Sequence, residues 1–313
     1  MIYHRFFLLL LASGTAACRD GDAPSDQTAA PATDPIAVIE IADVGFSTPE
    51  AVLHDTVADV YLVSNISGAP VAKDDDGFIS RLSPEGRVEQ LKWIDGTAAN
   101  VTLHAPKGLV IKGDTLYVAD IDCVRRFGRT TGVPAGEICF PGATFLNGLG
   151  MDGNGALYVT DSGLNADFTS SGTDALWRFT PAGQTSKLQQ GDSLGRPNGV
   201  AFNDEVGFVV TFGSGEIYQF GPDNRRRTVL PGASARQLDG IVFTRDGSYL
   251  FSSWGDRAVH RVDAQGATSR LLEDVESPAA IGYDAKRNRV LVPLFTPNKV
   301  VIKQIPTGTP TGG

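Results

Sequence analysis

The chain has 313 residues and a formal net charge of −9, with 36 acidic side chains against 27 basic ones. An acidic body of this kind argues against nucleic acid as a partner and against electrostatic adhesion to anionic lipid. There are 3 cysteines, and no spacing among them suggests zinc.

Residues 1–17 read as an export signal. Arg5 supplies the positive n-region, residues 6–12 an apolar core, and residues 13–17 the small side chains of a cleavage site. The apolar stretch is far short of the ~20 residues that a spanning helix needs. Cys18 directly after Ala16-Ala17 makes the segment resemble a lipoprotein signal, which implies that Cys18 is acylated. Thr15 stands where that pattern usually has Leu, and an ordinary signal peptide with an incidental cysteine is the alternative. The expected location is the periplasmic face of a bacterial cell envelope, lipid-anchored, or otherwise the periplasm. Membrane contact is expected only through that lipid.

Residues 18–35 are rich in Ala, Asp, Pro, Thr and Ser, without a large apolar side chain, and read as a flexible tether. Residues 36–306 turn apolar and form the folded body, and residues 307–313 read as a disordered tail. No helical periodicity runs through the body. Short alternating runs punctuated by Gly, Asp and Pro take its place, and one phrase recurs. Its copies are Pro49-Glu50-Ala51-Val52, Pro106-Lys107-Gly108-Leu109, Leu146-Asn147-Gly148-Leu149, Pro197-Asn198-Gly199-Val200, Leu238-Asp239-Gly240-Ile241 and Pro278-Ala279-Ala280-Ile281. Each leads through a turn into a second apolar strand, Val60-Tyr61-Leu62-Val63 being the first. The copies lie about 46 residues apart, the period of a four-stranded propeller blade. The fold class is therefore all-β, a six-bladed β-propeller. The early strand at residues 36–41 is expected to complete the last blade and close the ring.

Innermost strands line a propeller's central channel, so the second residue of each phrase forms a ring around the axis. That ring reads Glu50, Lys107, Asn147, Asn198, Asp239 and Ala279. Unpaired polar groups in a tight channel cost several kcal/mol. Two carboxylates and two amide oxygens converging there offer hard ligands of the kind Ca²⁺ takes. The competing reading treats Asn-Gly and Asp-Gly as turn residues that tolerate positive φ.

The Pro-Asn-Gly-Val and Leu-Asp-Gly-Ile phrases, and Pro-Glu-Ala-Val followed by His54-Asp55, resemble the gluconolactonase / senescence-marker-protein / luciferin-regenerating-enzyme family, to which diisopropylfluorophosphatase is related. The resemblance implies a calcium or similar divalent ion held by Glu50, Asn147, Asn198 and Asp239. It also implies hydrolysis of a small lactone or ester, with Asp239 as the carboxylate that activates water or attacks; a monomer is expected. Lys107 departs from a cation site. It is expected to lean away and pair with Glu50, to contact an anionic substrate, or to replace the ion. His104 and Trp254 are further substrate-contact candidates, with a surface histidine and packing between blades as the respective alternatives, and His260 is expected to be structural. Asp120 and Asp161 are expected to cap turns, and residues 165–172 to form a lid. Cys123 and Cys139 fall in adjacent strands, where a disulfide and two free thiols are both open readings. No nucleophile elbow, metalloprotease helix or phosphate loop is present. A non-catalytic module that binds protein or carbohydrate is the alternative function.

Overall fold

The computed structural model describes residues 38–233 and 236–306. The export signal, Cys18, the tether and the tail lie outside the described residues. The alternating runs of the body fold into six four-stranded antiparallel sheets. Sequence order and spatial order coincide in five of them. The sixth takes its outer strand from the start of the body: Val38–Ile41 pairs with Lys299–Gln304, Val38 opposite Lys303 and Ile41 opposite Val300. The ring is closed in this way, the last blade's strand being covered by the first.

Burial falls from the inside of a blade outward. Val60–Asn65, a second strand, is buried along its whole length. Thr185–Gln190, an outer strand, is mostly exposed. The second strands are sandwiched by neighbouring blades on both faces, which is why they read as continuous apolar runs rather than alternating ones. The core is built between blades: Leu62 and Ile79 pack with Leu116 and Val118, and Ala119 and Val124 with Leu157 and Val159.

The recurrent phrase has a structural cause. Pro106 pairs with Asp120 while Leu109 pairs with Val118, so the inner strand carries one residue too many at Lys107-Gly108. The same one-residue shift occurs at the matching place in the other five blades. A bulge of this kind re-aims a side chain, and here it turns the second residue of each phrase toward the axis. The glycines that follow permit the inner strands to converge. A Cβ on Gly148 would stand 2.3 Å from Asn198 O, and one on Gly199 2.6 Å from Asp239 O. Neither glycine has a positive φ. The Asn-Gly and Asp-Gly pairs are therefore close-approach sites, not turns.

The bulge leaves backbone groups to satisfy, and the second strands supply hydroxyls for them. Gly148 N donates to Thr160 Oγ1 at 2.8 Å, and Thr160 Oγ1 donates onward to Asn198 O at 2.5 Å. Ser252 links Gly240 N to Ala279 O in the same manner. Cys123 and Cys139 lie directly opposite one another, and they are disulfide-bonded.

Candidate metal centre in the central channel

The bulges bring Glu50, Lys107, Asn147, Asn198 and Asp239 from five blades to the wall of one cavity of about 40 Å³. Each is at most 5% exposed. Ala279 fills the sixth ring position, fully buried and outside the cavity wall.

Four oxygens in this cavity are buried without a hydrogen-bond partner among the described residues: Glu50 Oε2, Asn147 Oδ1, Asn198 Oδ1 and Asp239 Oδ1. Each such group costs about 1–3 kcal/mol when nothing compensates it. The orientation of Asn147 is fixed, because its Nδ2 donates to Ser162 Oγ at 3.0 Å and that hydroxyl donates to Pro197 O at 2.7 Å. The amide nitrogen is thereby tied to the scaffold and the oxygen is left for the cavity. Two carboxylates and two amide oxygens form a donor set suited to a hard divalent cation such as Ca²⁺, with water completing the coordination.

The electrostatics agree with that assignment. Burial first, and then the nearby charge of Asp239, hold the Glu50 carboxyl well above the usual range, against the pull of Lys107. Burial pushes Asp239 up to about 7, opposed by the Trp254 indole and the Asn198 amide. Neither of those contacts closes to full hydrogen-bond geometry, and Trp254 Nε1 itself lacks an acceptor. Both acids thus resist ionising until a cation offsets their desolvation.

Lys107 leans out of the ring. Its ammonium donates to Ala105 O at 2.9 Å and Pro70 O at 3.0 Å, and lies 4.5 Å from the centre of the Phe145 ring. It makes no ion pair with Glu50 among the described residues. An ammonium in the cation position would bond at least one of the four oxygens, and all four are unpartnered. Burial lowers the lysine to about 8, against the pull of Asp120, Glu50 and Asp161.

Above the polar floor stands an aromatic collar. Trp254 contacts Phe212 at 5.4 Å and Phe295 at 5.2 Å between ring centres, and Phe145 contacts Phe168 at 6.4 Å. Ile66, Phe212, Trp254 and Phe295 each immediately follow a second strand, forming a second ring whose register matches the first. The repeat contains that signal, yet sequence reasoning singled out Trp254 alone. Phe168 belongs to the polar excursion at 165–172, lines the cavity, and is 44% exposed at a left-handed φ of 60°.

His104 is not part of the cavity wall. Its Nδ1 lies 3.0 Å from Asp75 Oδ1 and accepts from Asp75 N at 3.2 Å, so the ring is occupied with a neighbouring loop. His260 stacks on Phe251 at 4.7 Å and bonds Asp256, away from the channel. Asp120 accepts from the backbone N–H of His104 and Ala105 and from Arg125, and Asp161 from Thr144, Phe145 and Gly163. These aspartates hold the loops that carry the collar and the Ala105 carbonyl. A second cluster, Cys123, Glu137 and Cys139, brings three ligand types together elsewhere. Its sulfurs are tied in the disulfide and supply no thiolate for a metal.

Comparison with known proteins agrees on the fold. Virginiamycin B lyase from Staphylococcus aureus superposes with a TM-score of 0.62 at 14% identity, over 87% of this chain and 100% of that one. An auxiliary nutrient binding protein from Bacteroides thetaiotaomicron gives 0.62 at 11% identity, over 83% and 69% of the two chains. A chain of a nidogen/laminin complex gives 0.55 at 20% identity, over 71% and 78%. At these identities the likeness is one of fold, and the three carry different roles. No curated protein matches the chain. The family described as SMP-30/Gluconolactonase/LRE-like region matches residues 76–282, a stretch that holds Lys107, Asn147, Asn198 and Asp239. On that match, and with six bulged blades focusing their side chains on one channel, the chain belongs to the SMP-30/gluconolactonase/LRE-like family.

Proposed function

We propose that the protein is a divalent-cation-dependent hydrolase of small lactones or esters. The observation that carries this reading is the convergence of four unpartnered buried oxygens, on Glu50, Asn147, Asn198 and Asp239, at one cavity. A bound cation would polarise the substrate's carbonyl oxygen. Asn147 and Asn198 orient without adding charge. Asp239 is the candidate base, taking a proton from water through whichever oxygen is not committed to the ion. The aromatic collar excludes bulk water and offers flat faces to a small ring. The cavity, about 40 Å³, has room for only about three waters at ~15 Å³ each. Phe168, on its exposed loop, is the side chain whose displacement would admit a substrate.

The test is turnover of a panel of γ- and δ-lactones and aryl esters by the calcium-loaded protein. The expected result is hydrolysis abolished by EDTA and reduced at least ~10²-fold in kcat/KM by Asp239→Asn, the low end for loss of a general base. Calcium binding without turnover on any member would sink the hydrolase and leave a non-catalytic binding module.

A further inference from the structure

Among the described residues Lys107 is a buried ammonium with no carboxylate in bonding distance. It is 1% exposed, and its two acceptors, Ala105 O and Pro70 O, are neutral carbonyls. An ammonium carries three protons, and the protein accepts two of them. The acids around it are engaged elsewhere. Asp120 is held by Arg125 and by two backbone N–H groups, and Asp161 by three backbone N–H groups. Glu50 is the remaining nearby acid, and on the reading above its charge faces the cation.

On the cavity wall itself Glu50 and Asp239 together balance a divalent ion, while Asp120 and Asp161 act on Lys107 only through space. The ammonium keeps one N–H that no described acceptor takes, beside Phe145 on a wall that also carries Phe212, Trp254 and Phe295. A charge-assisted hydrogen bond is stronger than one to a neutral carbonyl. A neutral substrate would leave the ammonium without a direct anionic partner, and an anionic one would supply it.

We infer that Lys107 is a specificity-determining residue that selects anionic ligands, namely lactones or esters bearing a carboxylate. This rests on the cation-site reading of the preceding subsection. The carboxylate sits on the blade-two side of the cavity against the ammonium and the Phe145 face, and the carbonyl points toward Glu50 and Asp239. The cavity recognises charge at one end and reacts at the other.

The experiment compares acetate with acetamide, two small probes of similar shape that do not turn over, on the calcium-saturated protein. Binding is read from the shift of the Trp254 indole resonance. Acetate is expected to bind at least tenfold more tightly than acetamide to the wild type. In Lys107→Met that preference disappears while calcium affinity is kept, and in Lys107→Arg it survives. Equal binding of the two probes to the calcium-loaded wild type overturns the inference and leaves the cation site standing. So does a preference that persists in Lys107→Met, which would place the anion on the ion itself. If Lys107→Met does not fold, Lys107→Gln supplies the uncharged variant, and the same loss or persistence of the preference decides. Failure of the wild type to bind calcium overturns the inference together with the reading beneath it, and calorimetry with calcium alone separates that case.

Discussion

Asp239 is the residue on which structure and chemistry meet most directly. Its carboxyl is buried among groups that do not neutralise it, and desolvation raises it from 3.8 to about 7. An acid whose folded value lies above its unfolded one binds more protons in the native state. Its contribution to stability therefore erodes as pH rises through about 4 to 7 and stays lost above. In cation-free protein, Asp239→Asn is expected to raise Tm at pH 8 by several degrees and to change it little at pH 4, since ~1 kcal/mol moves a domain of this size by ~2–4 °C. Calcium should reverse the order at pH 8, because the cation stabilises the carboxylate and the amide lacks its charge. Thermal melts of both proteins at the two pH values check this. An equal gain at both would mean that Asp239 is not desolvated in the native state.

At the level of the strand, the bulge and its glycine make the site. Each inner strand must carry one extra residue to aim a ligand inward and must then pass within van der Waals contact of the next blade. Gly148→Ala would place a methyl 2.3 Å from Asn198 O. Overpacking of this kind costs about 1–3 kcal/mol, and here it would also displace Asn198, a proposed ligand. Urea denaturation should show the lost stability, and calorimetry a weakened calcium isotherm. A variant unchanged in both would mean that the inner strands have slack. The first ring was legible because the bulge imposes a recurrent Gly beside a recurrent polar residue. The collar was not, because Ile66, Phe212, Trp254 and Phe295 share only a position after the second strand and no common residue type. The place of His104 was not legible for a related reason. Its direction is decided by Asp75, 29 residues away in the chain, and nothing local to His104 encodes that contact.

For the molecule as a whole, closure makes the channel a fixed frame. Val38–Ile41 joins the last blade, and Val52 N and Ala280 N bond Ala280 O and Glu50 O across the seam between blades one and six. Glu50 is thus positioned by ring closure itself, although its blade begins before the stretch that matches the family. The period of the repeat fixed the number of blades in advance, and the polar ring pointed to a cation. The absence of an ion pair to Lys107 depended on where the loops at Pro70 and Ala105 present their carbonyls, which the repeat does not specify. The central claim is that four oxygens from four blades hold one divalent cation, and the measurement that tests it most directly is isothermal calorimetry with calcium. One calcium per chain is predicted, with the signal lost in Asp239→Ala, weakened in Glu50→Gln and unchanged in His104→Ala. No heat in the wild type, or an isotherm that Asp239→Ala leaves intact, would contradict it.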